Sequence, residues 1–482
     1  MKHTIGIAGL AVMGENLVLN MASKGFSVAV YNRTAAKTEK FVSGRGKSDK
    51  IEGFTNVADF VGSLEKPRRV MMMLKAGNPV DQFIEQLLPH LEKGDIVIDG
   101  GNSNYHDTIR RLALLEKKGL RYIGTGVSGG EEGALKGPSI MPGGSTDAWP
   151  YLKDIFTSTS AQLADGSSCC DWMGSGGAGH FVKMVHNGIE YGDMQLICET
   201  YQFMKDVLGM DSTAIHQTFA TWQKGNLNSY LVEITADITA YKDSDGSPLL
   251  EKILDAAGQK GTGKWTVNAA LDCGVPLSLI SESVFARCLS NNVELRQQAA
   301  EHFTGVVTAY NGDMNTIIDH LGVALYCAKI ISYAQGFGLL QAAGDEFGWN
   351  LDFASIARIW RGGCIIRSVF LDRIADAYQE SPQPANMLLA PYFRDTLQNG
   401  QASLREVLAT GIRAGIPLPC HNAALAYFDG FRSGRLPANL LQAQRDYFGA
   451  HMYERIDRPR GEWFHTNWTG TGGNTTSTTY SK

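Results

Sequence analysis

The sequence lacks the cysteine patterns that bind metals or build a disulfide framework. Eight cysteines occur among 482 residues, but no two have Cys-x-x-Cys spacing and no histidines stand at matching distances. Structural zinc sites and small secreted domains depend on such spacings. We therefore expect reduced, mostly buried thiols in a cytoplasmic protein, and no metal site.

A surplus of basic residues and a long apolar run are also missing. Lys and Arg number 44 against 49 Asp and Glu, and the net charge of −5 disfavours nucleic acid as the main partner. A small anionic substrate needs only a few well-placed cations. No uninterrupted apolar run is long enough to span a bilayer, so no membrane association is expected. The apolar stretch after Met1 resembles a signal peptide, but Gly6, Gly9 and Gly14 favour a strand, a turn and a helix.

The length allows two or three domains, and the sequence pattern changes along the chain. Short β-branched segments alternate with helical patterns in the first third, which predicts a Rossmann-type parallel α/β domain over residues 1–179. The candidate strands are Thr4–Ala8, Ser27–Tyr31, Val70–Leu74, Ile96–Asp99 and Arg121–Gly124. Helical periodicity then dominates, as in His180–Leu208 and Ile317–Phe347, and predicts a large all-helical domain over residues 180–434.

The last region, residues 435–482, differs from both. Arg435–Tyr453 is typical of one more helix, and an irregular tail follows it. Thr469–Lys482 is almost wholly Thr, Ser, Gly and Asn, and alone it would be disordered. The aromatic residues just before it, Trp463 and Trp468, indicate that part of the tail packs against another surface.

The N-terminal segment carries a dinucleotide-binding pattern. Gly9, Ala11 and Gly14 follow the first candidate strand as G-x-A-x-x-G, and alanine is small enough to let the backbone approach a pyrophosphate. An ordinary glycine-rich turn is the alternative, which the surrounding βαβ pattern disfavours. Arg33 and Thr34 follow the second strand where NAD enzymes usually carry a carboxylate, and they suit the 2′-phosphate of NADP. A solvated surface role for Arg33 is the alternative.

Two other glycine-rich segments imitate nucleotide motifs. Gly174–Gly179 matches G-x-G-x-x-G literally, but no long apolar strand precedes it and no βαβ unit follows. We interpret it as a flexible lead into the next helix. Gly258–Lys264 resembles a P-loop, but Trp265 stands where the metal-binding Ser or Thr belongs, and the preceding segment has a helical pattern. Neither segment is expected to bind a nucleotide.

The most informative helix carries a polar stripe. At about 100° per residue, Lys183, His186, Asn187 and Glu190 fall along one side, whereas apolar residues occupy the rest of the circumference. Such a stripe usually marks a solvated face. The apolar flanks and the scarcity of other charges favour burial instead, and a buried Lys and Glu two turns apart are a plausible acid–base pair.

A second glycine-rich turn, Gly126–Glu131, follows the candidate strand that ends near Gly124. Its Ser128 and the adjacent N–H groups can hold a carboxylate or hydroxyl beside a nicotinamide, and a bare left-handed turn is the alternative. Met141–Gly144 predicts another tight loop.

These motifs together resemble the decarboxylating 6-phosphogluconate dehydrogenase family over essentially the whole chain. The segments that carry the resemblance are Gly9–Gly14, Asp99–Ser103, Val127–Ala134, Lys183–Asp193, Lys260–Trp265, Arg361–Arg367 and Leu436–His451. No functional position departs from the family pattern.

The resemblance implies an NADP-dependent oxidation of 6-phosphogluconate to ribulose 5-phosphate and CO2, in the pentose phosphate pathway and in gluconate utilization. It implies that Lys183 is the general base and later polarises the ketone, and that Glu190 protonates the enediol carbon. It implies that the sugar acid is oriented by Asn102, Ser128, Gly129, Gly130, His186, Asn187 and Tyr191, and that its phosphate is held by Lys260, Thr262 and Arg287. It implies that Arg445 and His451 come from the other subunit of a homodimer. It implies NADP contacts by Gly9, Leu10, Ala11, Val12, Met13, Gly14, Asn32, Arg33, Thr34, Leu74, Lys75, Ala76 and Asn102.

The chemistry agrees with these roles. A β-keto carboxylate already has its electron sink, so a cation beside the carbonyl can replace a metal. Lysine suits this task if burial lowers its pKa from about 10.4 towards the working pH. A nearby substrate carboxylate opposes that shift, and the sequence leaves open which effect is larger.

Two rival functions remain at this point. A short β-hydroxyacid dehydrogenase, such as one that acts on 3-hydroxyisobutyrate, shares the nucleotide fold and a catalytic lysine but does not need the long helical domain or the phosphate-binding cations. A non-catalytic NADPH-sensing protein has no need of Lys183 and Glu190 on one stripe.

Overall fold

The structure is a computed structural model that describes residues 2–303, 305, 308–381, 384–472 and 475–477. The chain forms two compact units that divide between Leu425 and Ala426. The predicted terminal segment Thr469–Lys482 lies partly outside the described residues. The domain boundaries expected after residues 179 and 434 stay predictions.

An eight-stranded sheet forms the N-terminal part of the first unit. Its strands are β1 (Ile5–Ala8), β2 (Val28–Tyr31), β3 (Ile51–Phe54), β4 (Arg69–Met72), β5 (Ile96–Asp99), β6 (Arg121–Ser128), β7 (Ser139–Gly144) and β8 (Gly174–Ser175). Their order is β3-β2-β1-β4-β5-β6-β7-β8. Strands β1–β6 are parallel to one another, whereas β7 and β8 are parallel to each other and run in the opposite direction. The connecting helices are α1 (Val12–Ser23), α2 (Ala35–Ser43), α3 (Val57–Gly62), α4 (Asn78–Leu87), α5 (Tyr105–Glu116), α6 (Gly130–Lys136) and α7 (Trp149–Thr159).

The strands bury both faces, which is why their sequences read as apolar runs and not as alternating patterns. Ile5 and Ile7 of β1 belong to one core cluster, whereas Ala8 belongs to the cluster on the opposite face. Neighbouring strands repeat this division: Met71 joins the first cluster and Met72 the second. The predicted Rossmann-type class is confirmed.

Three strands escaped prediction. Strand β3 has one buried residue, Ile51, at the edge of the sheet, and therefore lacks an apolar run. The expectation of a tight loop at Met141–Gly144 is wrong, because Pro142 and its glycine neighbours are buried in β7 between β6 and β8. Strand β8 has only two residues.

Helices make up the rest of the first unit, as predicted. They are α8 (Ala178–Gln202), α9 (Ser212–Trp222), α10 (Tyr230–Ala240), α11 (Thr262–Asp272), α12 (Ser278–Ser290), α13 (Val293–His302), α14 (Met314–Phe347), α15 (Phe353–Ile359), α16 (Leu371–Glu380), α17 (Pro391–Ala414) and the first half of α18 (Pro419–Phe431), whose remaining residues belong to the second unit. Helix α14 is long and apolar enough to cross a membrane, with a mean hydropathy of 1.3 over an 18-residue stretch, although Lys329 interrupts its apolar run. That stretch is 89% buried inside the protein, as in the core helix of a soluble protein.

The C-terminal unit holds α19 (Ala438–Gly449) and a short antiparallel pair, β9 (Tyr453–Glu454) and β10 (Trp463–Phe464). The helix is shorter than the predicted Arg435–Tyr453, because Ala450 adopts a left-handed conformation and ends it. The buried carboxylate of Asp446 accepts hydrogen bonds from Trp468 Nε1 and His465 Nδ1, both at 2.9 Å. Part of the aromatic tail therefore packs against α19.

Candidate active site

A crevice lies where the strand order reverses, outside the carboxyl ends of β1 and β4. Ala8 at the end of β1 pairs with Met72 at the end of β4. Ligands of open α/β sheets bind at such a switch point. Gly9 has φ +104°, and a Cβ there would lie 2.5 Å from the Met73 carbonyl oxygen. A Cβ on Gly14 would overlap the Gly9 oxygen, so the turn into α1 requires glycine at both positions.

A hydrogen bond connects the turn before α1 to Asn32, the residue that follows β2. Asn32 Oδ1 accepts a hydrogen bond from the Leu10 amide at 3.2 Å. Ala11 is the residue before α1, and Val12 exposes 54% of its surface at the helix start. Arg33 and Thr34 are exposed beyond Asn32, where an anion can reach them. The remaining turn residue, Met13, is partly buried.

Two further loops border the crevice. Leu74, Lys75 and Ala76 follow β4, and Lys75 is exposed. The loop after β5 carries the exposed Asn102, and a Cβ on Gly101 would lie 2.7 Å from the Leu74 oxygen. The two loops therefore meet at their backbones.

Glycines bring α8 against the sheet. A Cβ on Gly179 would overlap the Gly124 oxygen, and one on Gly126 would overlap Lys183 Cβ. The Gly174–Gly179 segment, expected to be a flexible lead, instead begins as strand β8 and packs tightly against β7. Its glycines permit the close approach that places Lys183 beside β6.

The predicted polar stripe is buried, not solvated. His186 is fully buried, Lys183 and Asn187 expose 6% and 8% of their surface, and the Glu190 side chain exposes 22%. Lys183 Nζ lies 3.3 Å from His186 Nδ1, which lies 3.1 Å from Asn187 Oδ1 and 3.9 Å from Glu190 Oε2. Four different functional groups thus meet within two helical turns.

Burial changes the protonation of this stripe. It lowers the pKa of Lys183 below 10.5, although the charges of Glu190 and Cys364 act in the opposite direction. It raises the pKa of Glu190 above 4.5, against the charges of Lys183 and Arg287. Burial and the charge of Lys183 hold the pKa of His186 well below 6.5, so the imidazole is neutral. The stripe favours an uncharged base and an uncharged acid.

The turn after β6 faces the stripe. Ser128 Oγ lies 3.3 Å from His186 Nε2. Gly129 and Gly130 have φ of +124° and +64°, and a Cβ on Gly129 would lie 2.7 Å from the Gly363 oxygen. The expectation that the turn begins at Gly126 is wrong, because Gly126–Ser128 are the last residues of β6 and the left-handed turn begins at Gly129. The end of the strand therefore places Ser128 at the site.

The loop around Gly363 was not predicted as part of the site. Ser139 donates its amide proton to the Gly363 oxygen at 2.7 Å, which ties this loop to β7. Cys364, the next residue, is buried near Lys183, and burial raises the pKa of its thiol to about 12. The Arg361–Arg367 motif contained it, but only the fold brings residues 183 and 364 together.

A second group of predicted residues lies at the start of α11. A Cβ on Gly263 would lie 2.6 Å from the Tyr191 ring, and the Arg287 guanidinium lies 3.4 Å from the centre of that ring. Thr262 is buried and Lys260 is exposed. The segment before this P-loop imitation was expected to be helical, but a short 3-10 turn at Leu249–Lys252 and irregular chain precede α11. Cations and a hydroxyl thus surround one end of the stripe.

Arg445 and His451 belong to the C-terminal unit. Arg445 Nη1 donates to Gln442 Oε1 at 3.1 Å, and Gln442 Nε2 donates to the His451 carbonyl oxygen at 3.4 Å. One glutamine therefore connects the two residues at the end of α19.

Known proteins resemble this chain over its whole length. The family description "NAD binding domain of 6-phosphogluconate dehydrogenase" matches residues 4–174, and "6-phosphogluconate dehydrogenase, C-terminal domain" matches residues 179–468. Two relatives are named "6-phosphogluconate dehydrogenase, decarboxylating". The protein from Haemophilus influenzae is 57% identical to this chain over 479 residues, and the protein from Homo sapiens is 54% identical over 477 residues. Each alignment covers 99% of this chain and 99% of the relative. A solved structure, the Plasmodium falciparum 6-phosphogluconate dehydrogenase, superimposes on this chain with a TM-score of 0.93 at 47% sequence identity. The superposition covers 96% of this chain and 100% of the Plasmodium chain. That enzyme is described in its apo form, in complex with its cofactor NADP+ and in complex with its substrate 6-phosphogluconate.

Proposed function

This chain belongs to the 6-phosphogluconate dehydrogenase family, and from that premise we propose how its own residues divide the reaction. The reaction is the oxidative decarboxylation of 6-phosphogluconate to ribulose 5-phosphate and CO2, with NADP+ as the oxidant. The observation that carries the division of roles is the buried stripe, in which Lys183 and Glu190 occupy one helix with opposite pKa shifts.

Lys183 acts first, as the base. Burial lowers the pKa of its amine and so favours the deprotonated form, which removes the proton from the 3-hydroxyl of the substrate. NADP+ supplies the electrophile that accepts the hydride from C3. His186 is a neutral neighbour within 3.3 Å of the amine, and it orients Lys183 without adding a second positive charge.

Lys183 and Glu190 then act in sequence on the β-keto acid. The ammonium formed on Lys183 gives its proton to the developing oxyanion at C3 while the C1–C2 bond breaks and CO2 leaves. Glu190, whose raised pKa favours the protonated carboxyl, donates a proton to the former C2 of the resulting enediol, and the C3 hydroxyl returns its proton to Lys183 as the ketone forms. After ribulose 5-phosphate leaves, net transfer of one proton from Lys183 to Glu190 restores the site.

The cofactor residues border the crevice at the carboxyl ends of β1, β2, β4 and β5. The start of α1 suits the pyrophosphate, because the free N–H groups there attract an anion. Arg33 and Thr34 suit the 2′-phosphate. The residues assigned to NADP are Gly9, Leu10, Ala11, Val12, Met13, Gly14, Asn32, Arg33, Thr34, Leu74, Lys75, Ala76 and Asn102.

The substrate residues divide into two groups. The sugar acid contacts Asn102, the Ser128 turn, His186 and Asn187. Its phosphate contacts Lys260, Thr262 and Arg287, which gather at one end of the stripe. We add Tyr191, which was expected beside the sugar acid, to this phosphate group, because Arg287 stacks on its ring.

We propose that a homodimer completes the phosphate site with Arg445 and His451 of the other subunit. Large apolar side chains are exposed on and after α11–α13, at Leu271 (74%), Phe285 (61%), Leu289 (59%), Leu295 (63%) and Phe303 (81%). On α19, Leu440, Leu441 and Phe448 expose 62%, 56% and 72%. Exposed apolar patches of this kind mark protein–protein interfaces.

The proposed location is the cytoplasm. None of the eight cysteines forms a disulfide in the part of the chain that the structure describes, which suits a reducing compartment.

A substrate comparison tests the proposed function. Purified protein with NADP+ is expected to form NADPH and CO2 in equal amounts from 6-phosphogluconate, and to turn over gluconate or 3-hydroxyisobutyrate far more slowly. NADPH without CO2 would contradict the decarboxylation. Equal rates on gluconate would contradict the phosphate contacts.

A further inference from the structure

A fully buried arginine connects the two loops that border the cofactor crevice after β4 and β5. Arg111 lies on α5 with no exposed surface. Its Nε and Nη2 donate to the two oxygens of Asp81 at 3.0 and 2.8 Å, and Nη2 also donates to the Gly77 carbonyl oxygen at 3.0 Å. Gly77 and Asp81 belong to the loop and the first turn of α4 that follow β4. One side of the guanidinium therefore holds the chain that carries Leu74, Lys75 and Ala76.

The other side of the guanidinium holds the loop after β5. Arg111 Nη1 lies 3.3 Å from Asp99 Oδ2. The two Asp99 oxygens also accept from the Gly101 amide at 3.1 Å and from Ser103 Oγ at 2.6 Å, on either side of Asn102. Asp99 is fully buried, so its carboxylate fixes the backbone that presents the exposed Asn102.

The same helix reaches the catalytic helix. Thr108, one turn before Arg111, places Oγ1 2.6 Å from His180 Nδ1, and both residues are buried. His180 stands three residues before Lys183 on α8. Helix α5 thus contacts both loops of the crevice and the helix that carries the base.

We propose that Arg111 is a positioning residue, which clamps the loops after β4 and β5 together so that cofactor and substrate meet in line with Lys183. We call Asp81, Asp99 and Arg111 the loop clamp. The inference rests on the proposed function, because that function places the nicotinamide and the sugar acid at these loops. Burial acts to lower the pKa of Arg111, but Asp81 and Asp99 together raise it, so the arginine stays charged.

The helix offers a matched control. Arg110 is the next residue, exposes 53% of its side chain, and bonds the same Asp81 at 2.9 Å, with Asp107 at 3.2 Å as its second partner. Arg110→Met and Arg111→Met therefore each remove one arginine from Asp81, but only the second releases Asp99. Asp99→Asn is a milder variant that keeps the shape of the side chain, and Arg111→Lys keeps the charge but can reach only one carboxylate.

The test measures NADP+ affinity by calorimetry, together with kcat and KM on 6-phosphogluconate, for these four variants. Arg111→Met and Asp99→Asn are expected to weaken NADP+ severalfold and to lower kcat about 10- to 100-fold, as misplaced reactants do, with a much smaller change in the KM for 6-phosphogluconate. Arg111→Lys is expected to be intermediate, and Arg110→Met to match the wild type. If Arg111→Met does not fold, the NADP+ affinity and kcat of Asp99→Asn and Arg111→Lys test the loop clamp.

The inference is overturned if the folded variants bind NADP+ with wild-type affinity and lose only stability or active fraction. It is also overturned if Arg110→Met has the same effects as Arg111→Met. A wild-type protein that binds NADP+ but does not oxidise 6-phosphogluconate would contradict the proposed function, and the calorimetric comparison would still test the clamp.

Discussion

Lys183 and His186 lie one helical turn apart on α8, with Nζ 3.3 Å from Nδ1. Two cations at this distance would repel each other in a buried site, and burial lowers the pKa of both groups. The pair therefore holds a neutral imidazole beside an amine that loses its proton readily. Burial has a larger effect on the pKa of Lys183 than the opposing influence of Glu190.

The pH dependence of kcat/KM reports these shifts. Lys183 must be deprotonated to act as the base, so activity is expected to rise with pH through a midpoint below 10.5. Glu190 must be protonated to act as the acid, so activity falls with pH through a midpoint above 4.5. Glu190→Gln is expected to lose the alkaline limb and to keep the acidic one. An acidic limb centred at the ordinary pKa of lysine would contradict the burial argument.

The close contact of α8 with β6 can be tested at Gly126. A Cβ there overlaps Lys183 Cβ, so Gly126→Ala is expected to displace the lysine, lower kcat roughly tenfold or more, and cost about 1–3 kcal/mol of stability. The control is Gly338→Ala on α14, where an added Cβ meets open space among the described residues. Alanine in that helix is expected to leave kcat unchanged and to stabilise the fold slightly. Unaltered kcat in Gly126→Ala would show that Lys183 does not depend on this contact.

Cofactor choice is expected to depend on Arg33. Arg33→Glu places a carboxylate against the 2′-phosphate, and each lost charge-assisted contact costs about 1.5–3 kcal/mol. Binding of NADP+ should therefore weaken roughly tenfold or more, whereas binding of NAD+ changes little. Lys40→Glu, which makes the same charge change at an exposed position in the last turn of α2, is the control. Equal losses for both cofactors would mean that Arg33 does not contact the phosphate.

Mixing two inactive variants tests the shared site. Lys183→Met and Arg445→Ala should each be inactive or nearly so as homodimers. In a mixed dimer, one site combines the intact Lys183 of one chain with the intact Arg445 of the other, so part of the activity should return after co-expression. Mixed dimers that form but stay inactive would place Arg445 within the site of its own chain.

The sequence was sufficient to predict the features that depend only on residues close to one another along the chain. The G-x-A-x-x-G turn, Arg33 after β2, and the spacing of Lys183 and Glu190 are properties of short segments, and the structure places each in the expected element. The family class followed from the same motifs. The ends of helices differ from the prediction where the conformation of one residue decides them. Ala450, for example, adopts a left-handed conformation and ends α19 before the predicted Tyr453.

The sequence could not predict contacts between distant segments. The clamp of Asp99 by Arg111, the approach of Cys364 to Lys183, and the contact of Gly126 with α8 all depend on the tertiary fold. Strand β7 was missed for a related reason, since Pro142 and its glycines are typical of a loop until β6 and β8 enclose them.

The division of labour on α8 is tested most directly by the first turnover. The enzyme with bound NADP+ is mixed rapidly with 6-phosphogluconate, and NADPH absorbance is followed for Lys183→Met and Glu190→Gln, after calorimetry has shown that both variants bind NADP+. Glu190→Gln is expected to form a burst of NADPH equal to its active sites and then to turn over slowly, because oxidation precedes the proton transfer to the enediol. Lys183→Met is expected to form no burst. A burst in Lys183→Met, or a first turnover equally slow in both variants, would contradict the assignment of base and acid.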